Sequence, residues 1–248
     1  MADPRVLLIV TVAFVMEAAL GFGSSVIVAT LGALLGPLDA VMPAFITVNL
    51  ALSAWVVATS RAHVRVALLA REVLPLSGVG VLLGFTLGRA ADLPAARVCF
   101  GAGVALLAGA ELRRALRPPP REVPLSRAAS VGALLAGGVV HGVFGAGGPL
   151  IVYVAGRRGL DKRAFRATLS ALWLLLNAAL IARWVADGTC TARTLRDALW
   201  LAPALLAGTA LGTALFKRLP PRGFRVTAAA AMGAAGLSLA LRTLAGGR

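Results

Sequence analysis

His141-Gly-Val-Phe-Gly-Ala-Gly-Gly-Pro149 lies inside an apolar run that extends from about Ala128 to Ala155. Gly142, Gly145, Gly147, Gly148 and Pro149 crowd together there, and a water-exposed helix would not survive them. In lipid the break matters more. Each freed backbone N–H and C=O needs a partner inside the protein or in a water-filled cavity. A helix broken at membrane depth marks a place where something is bound.

The surrounding composition puts this stretch in a bilayer. The chain has 248 residues, of which 59% are hydrophobic and 14% charged, with a mean hydropathy of +0.87. Soluble domains carry roughly a quarter charged residues. About 20 apolar residues span a membrane as a helix. Charged clusters cut the chain into such stretches at about 6–36, 40–59, 73–88, 95–112, 128–155, 167–185, 198–216 and 224–244. The first and fifth are too long for one simple span, and both contain a Gly-rich break. The apolar N-terminal run is interrupted by Glu17 and then resumes, so it reads as an uncleaved first membrane segment rather than a signal peptide. The expected fold is an all-α polytopic membrane protein of about eight helical segments.

The net charge of +15 is almost all arginine, with Lys162 and Lys217 the only lysines. The basic residues sit in short loops between apolar stretches. The charge therefore reads as membrane orientation rather than nucleic-acid binding. Cys99 and Cys190 are far apart with no metal-type spacing, and they read as small packing residues.

The longest polar connection, 111–127, contains Pro118-Pro119-Pro120 and lies near the midpoint. Shifting the chain by 128 brings Asn49 onto Asn177, Pro75 onto Pro203, Gly80 onto Gly208, Gly84 onto Gly212 and Arg97 onto Arg225. Shifting by 124 brings Gly21 onto Gly145 and Gly23 onto Gly147. These matches predict two membrane repeats, 1–116 and 128–248, joined by the loop 117–127. If every stretch crosses once, Lys and Arg divide 14 to 11 between the two sides. If the first and fifth stretches enter and return on one side, they divide 17 to 8. The second count obeys the positive-inside rule better. It leaves three crossings per repeat, which makes the repeats inverted and puts both termini on the non-cytoplasmic side. Gly80, Gly84 and Gly88 recur every four residues, a spacing that lets membrane helices approach closely.

Two matching motifs carry the candidate chemistry. The first is Glu17-Ala-Ala-Leu-Gly21-Phe-Gly23-Ser24-Ser25, and the second runs from His141 through Gly145, Gly147 and Gly148 to Pro149. Each puts an ionisable residue four positions before its first glycine. A helix restarting after such a break has N–H groups without intrahelical partners and a positive dipole end, and both attract anions. Ser24 and Ser25 add hydroxyl donors. Glu17 and His141 are candidates for proton coupling. Asn49 and Asn177 occupy matching places and would bond either the unwound backbone or a substrate. Trp173 and Tyr153 read as packing or interface aromatics, with lining of the cavity as the other reading. Arg183 and Asp187 read as a salt-bridged helix end.

At these residues the chain resembles the TauE/SafE (sulfite exporter, TSUP) family. The stretch Gly138-Val-Val-His141-Gly142-Val-Phe-Gly145-Ala-Gly147-Gly148-Pro149 is similar to the Gly-rich signature opening the second half of that family. Gly21-Phe-Gly23-Ser24-Ser25 is a looser match, with serines and no following proline where the family has more glycine and a proline. The resemblance implies a secondary transporter of sulfite, sulfonates or related small organic anions in the cytoplasmic membrane. No cofactor or metal is expected. The expected partners are the anionic substrate and membrane lipid, with a homodimer compatible and nucleic acid excluded. Two other readings use the same residues. One is an intramembrane hydrolase with Ser24 as nucleophile and His141 as base, which requires the two within hydrogen-bond reach. The other is a non-transporting scaffold whose glycines pack dry against aliphatic side chains.

Overall fold

The computed structural model describes residues 3–32, 38–87, 93–116, 125–218 and 220–245. Every regular element among them is helical. Helix α1 (Pro4–Leu20) starts under an Asp3 cap and stops at Gly21, whose φ of 82° suits glycine and whose N–H returns to the Glu17 carbonyl. Helix α2 (Ser24–Gly32) follows three residues later. The second motif repeats this pattern. Helix α7 (Arg127–Phe144) starts under a Ser126 cap and stops at Gly145 with φ 66°. Helix α8 (Gly148–Ala155) restarts with Pro149 in its first turn, where a missing N–H costs nothing.

The remaining helices are longer or bent. They are α3 (Leu38–Ser60), α4 (Val66–Leu68), α5 (Leu74–Thr86), α6 (Pro94–Leu116), α9 (Lys162–Ala186), α10 (Ala192–Trp200), α11 (Ala202–Arg218) and α12 (Pro221–Leu244). Helices α4 and α5 are one continuous rod interrupted by a π turn at Leu69–Val73. The turn lies just before Pro75, which has no N–H to offer the preceding turn. Asp161 caps α9 by accepting from the Arg163 and Ala164 N–H groups at 2.8 and 3.0 Å. Those bonds hold its carboxyl below the usual aspartate range. Arg183 and Asp187 pair at 2.8 Å at the other end of α9.

The long first and fifth stretches are helical hairpins. Helix α8 returns along α7 so closely that a methyl group on Gly137 would lie 2.8 Å from Ile151 Cγ1. One on Gly147 would run into the Gly137 carbonyl oxygen. Helix α2 likewise packs on α1. Five helices among the described residues are long and apolar enough to cross a membrane: Val41–His63, Val66–Thr86, Pro94–Leu116, Arg127–Phe144 and Lys162–Ala186. A sixth is added if α10 and α11, bent by 44°, count as one span.

The main helix pairs are α1 with α11, α5 with α7, α3 with α9, and α6 with α12. Shifting by the two sequence offsets exchanges the first pair for the second and leaves the last two unchanged. The close contacts exchange in the same way. Gly208 sits on the Thr11 carbonyl and Gly212 on the Val15 carbonyl of α1. Gly80 sits on the Leu135 carbonyl and Gly84 on the Val139 carbonyl of α7, which are the positions 124 residues after Thr11 and Val15. Gly88 lies outside the described residues.

Ion pairs and hydrogen bonds gather the four basic connections at one end of the bundle. Arg65 meets Asp161 at 4.0 Å, Arg158 pairs with Glu72, and Arg157 meets Glu111 at 3.4 Å. Arg222 donates to the Leu116 carbonyl at 2.9 Å, and Lys162 donates to the Phe216 carbonyl. The described residues of segments 61–71, 111–127, 156–166 and 217–225 therefore share one face. Single crossings throughout would separate the first two from the last two. Cys99 departs from expectation, because its side chain is exposed on α6 instead of packed.

Candidate substrate site

The two hairpin tips meet in the interior. The last turn of α1 carries Glu17 inward, where it is 5% exposed. Gly21 and Gly23, with φ of 82° and 100°, turn the chain so that Ser24 opens α2 facing back toward Glu17. The Ser24 hydroxyl donates to Glu17 Oε2. From α3, Asn49 Nδ2 donates to the same oxygen at 2.6 Å. From α9, Asn177 Nδ2 donates to Asn49 Oδ1 at 2.8 Å. The two equivalent asparagines are thus bonded to each other, and their chain ends on the carboxylate. Of the two roles the sequence left open, unwound backbone or substrate, the first is not the one these side-chain amides take. A buried amide needs such partners, since an unmet one costs about 1–3 kcal/mol.

The second tip reaches this cluster through α9. Trp173 Nε1 donates to the Gly21 carbonyl at 2.8 Å, satisfying a group that the end of α1 leaves free. The indole also stacks on His141, with ring centroids 5.8 Å apart and planes at 25°. Trp173 is therefore part of the site rather than simple packing. His141 is 2% exposed, and neither ring nitrogen has a hydrogen-bond partner among the described residues. Asn177 Oδ1 is also unpaired.

Between the tips lies a cavity of about 10 Å³, room for about one water molecule. Glu17, Gly23, Ser25, Asn49, His141 and Gly148 line it, and Phe22, Val26 and Trp173 complete the wall. The first turns of α2 and α8 both face it. A larger groove of about 690 Å³ lies between α3 and α11, but its wall is mostly apolar and shares no residue with the buried cluster.

Nine expected residues belong to the cluster or its backbone: Glu17, Gly21, Gly23, Ser24, Ser25, Asn49, His141, Gly148 and Asn177. Three others shape the hairpin without lining the cavity. Gly145 caps α7 against Met42 Cε, Gly147 is wedged against Gly137, and Pro149 starts α8. Arg166 was missed by sequence reading. Its Cα would lie 3.0 Å from a methyl group on Gly21, and it is close enough to Glu17 for their charges to attract. The signal for it was spacing, because Arg166, Ser170, Trp173 and Asn177 share one face of α9.

Ser24 and His141 do not form the nucleophile–base pair that a hydrolase needs. The serine proton goes to Glu17, and His141 makes no hydrogen bond to Ser24. A chain of buried polar groups also differs from the dry aliphatic packing that a scaffold would have at the tips.

Apolar helices around a buried polar junction of two hairpins define a polytopic membrane protein with an intramembrane site. Residues 6–239 match the family described as "Sulfite exporter TauE/SafE", and the chain belongs to that family of membrane transporters. No curated protein and no solved structure matches the chain.

Proposed function

We propose that this protein is a secondary carrier of sulfite, a sulfonate or a related small organic anion across the cytoplasmic membrane. It works by alternating access between two inverted repeats, with the anion held between the tips at Gly23–Ser25 and Gly148. The observation that carries this reading is the cavity at the junction, walled by both helix starts and by the only buried carboxylate among the described residues. Backbone N–H groups at two converging helix starts suit an oxyanion, and the Ser25 hydroxyl extends the donor set.

Glu17 supports proton coupling. An anion brought against an ionised carboxylate in a low-dielectric site is repelled. A proton on Glu17 removes that repulsion, so proton and anion bind together and leave together. His141, stacked and unpaired at the same cavity, is the second group able to take a proton there.

The test is flux into proteoliposomes containing purified protein, with sulfite, sulfate, alkylsulfonates and carboxylates compared. Saturable, anion-selective uptake that responds to an imposed pH gradient is expected. Glu17→Gln keeps the hydrogen-bonding shape, so it should retain exchange but lose the response to the gradient. Gly148→Val should cut flux at least tenfold, because the added methyls point toward Trp173 across the cavity. No flux with any anion, or unchanged behaviour in both variants, overturns the assignment.

A further inference from the structure

The polar face of α9 does not stop at the site. It continues to the end of the bundle where the basic loops gather. Going outward from Asn177, it carries Trp173, Ser170, Arg166 and Lys162, at intervals of three or four residues that keep them on one stripe. Asn177, Trp173 and Ser170 are buried, while Arg166 and Lys162 are half-buried. Fifteen residues of helix cover about 22 Å, so the stripe leads from the membrane face to the cavity.

The two cations on the stripe share a support. Arg166 Cζ lies 4.8 Å and Lys162 Nζ 3.9 Å from the centre of the Phe216 ring on α11. The Arg166 stem packs on Gly21, the residue that ends α1, and its buried Nε has no hydrogen-bond partner among the described residues. A guanidinium held over an aromatic ring keeps its planar edge free to bind an oxyanion in two places.

The equivalent face of the first repeat lacks all of this. Subtracting 128 from the stripe gives Leu34, Leu38, Met42, Phe45 and Asn49, in which only the asparagine is polar. Met42 and Phe45 are buried, and Phe45 packs on Phe14 with ring centroids 5.3 Å apart. The two routes to the site that a two-fold carrier would have are therefore chemically unlike. One is basic and polar, and the described part of the other, at Met42 and Phe45, is apolar.

We infer that Arg166 is the anion-positioning residue of this carrier, and that with Lys162 it forms a one-sided basic lane through which the oxyanion reaches the cavity from the face bearing the basic loops. The inference rests on the transport reading above and adds the recognising cation and the side of access. Arg166 packs on Gly21, one helical turn from Glu17, and its guanidinium pairs with the arriving anion.

The test is anion flux with Arg166→Gln, Arg166→Lys and Lys162→Gln in proteoliposomes, using sulfite or the best-transported anion. Arg166→Gln should raise the KM at least tenfold, Arg166→Lys should recover most of that loss, and Lys162→Gln should raise the KM two- to fivefold. A purely structural role would instead lower the maximal rate and thermal stability in both Arg166 variants, with KM unchanged, and that result overturns the inference. Should Arg166→Gln fail to assemble, access decides the question. In a Cys99→Ser/Cys190→Ser background, Ser170→Cys should react with a charged thiol reagent added at the face bearing the basic loops, and a transported alkylsulfonate, which does not consume the reagent as sulfite would, should slow the reaction. Reaction only from the opposite face overturns the lane. Wild-type protein with no anion flux at all would instead remove the transport reading.

Discussion

Gly147 and Gly148 are adjacent and chemically identical, yet they have different jobs. A methyl group on Gly147 would strike the Gly137 carbonyl oxygen and come within 2.8 Å of His141 Cβ. One on Gly148 would meet nothing nearer than the Trp173 ring at 3.9 Å. Gly147→Ala must therefore open the α7–α8 hairpin, whereas Gly148→Ala fits. Overpacking of this kind costs about 1–3 kcal/mol. Thermal unfolding in detergent should show Gly147→Ala clearly destabilised and Gly148→Ala within about 0.5 kcal/mol of wild type, an ordinary small change. Equal stability of the two would show that the hairpin is looser than drawn. Sequence could not make this distinction, because the clash is between backbones ten residues apart. It could find Glu17, Asn49, His141 and Asn177, since polar side chains isolated in apolar runs stand out at matching offsets. Arg166 was hidden among the loop arginines that orient the protein, and only its spacing from Trp173 and Asn177 separates it from them.

At the scale of helices, small residues perform the same task at symmetry-related places. Gly80 and Gly84 bring α5 onto the backbone of α7, and Gly208 and Gly212 bring α11 onto α1. In membranes such contacts matter because lipid is as apolar as the side chains, leaving close packing to drive association. The partners differ, however. Helix α7 answers with Gly138 and Gly142, while α1 has Phe14 and Ala18 at the same positions. At Gly80 a methyl group would meet only backbone, whereas on Gly208 the nearest atom would be Phe14 Cβ at 2.6 Å. Gly80→Leu should therefore be more damaging than Gly208→Leu. The amount of folded protein recovered after extraction, and its melting temperature, check this order. The reverse order would mean that α1 and α11 form the tighter joint. The glycine periodicity was legible in sequence. The choice of partner helix was not, because the same spacing serves any close neighbour.

At the scale of the whole molecule, the size of the cavity decides what state is seen. A space of about 10 Å³ admits roughly one water and no sulfur oxyanion. On the carrier reading proposed above the protein must open to bind, and this arrangement corresponds to a closed state of that cycle. Opening toward the basic face has to part contacts that tie 156–166 to the other three connections. The ion pair between Arg158 and Glu72 is the central one, joining the end of the α7–α8 hairpin to the π turn ahead of α5. Both partners are about two-thirds buried, with side chains 29% and 31% exposed, so the pair is less screened than a surface one. Even so, an ion pair near the surface contributes only about 0.2–1 kcal/mol. Removing it by Glu72→Gln should therefore shift the closed–open balance by no more than about fivefold. The expected reading is a two- to fivefold faster reaction of Ser170→Cys, in the cysteine-free background, with a thiol reagent added at the basic face. Folding stability should be little changed. Substrate should slow the reaction in both proteins, because the anion occupies the same lane. No acceleration would place the closing contact elsewhere on that face, with Arg157–Glu111 the next pair to break. Faster reaction from the opposite face alone would mean that the basic face is not the one that opens onto the α9 stripe. The orientation is read in the same experiment. With intact cells the basic loops should be shielded and the N-terminus accessible, as the division of 17 to 8 requires.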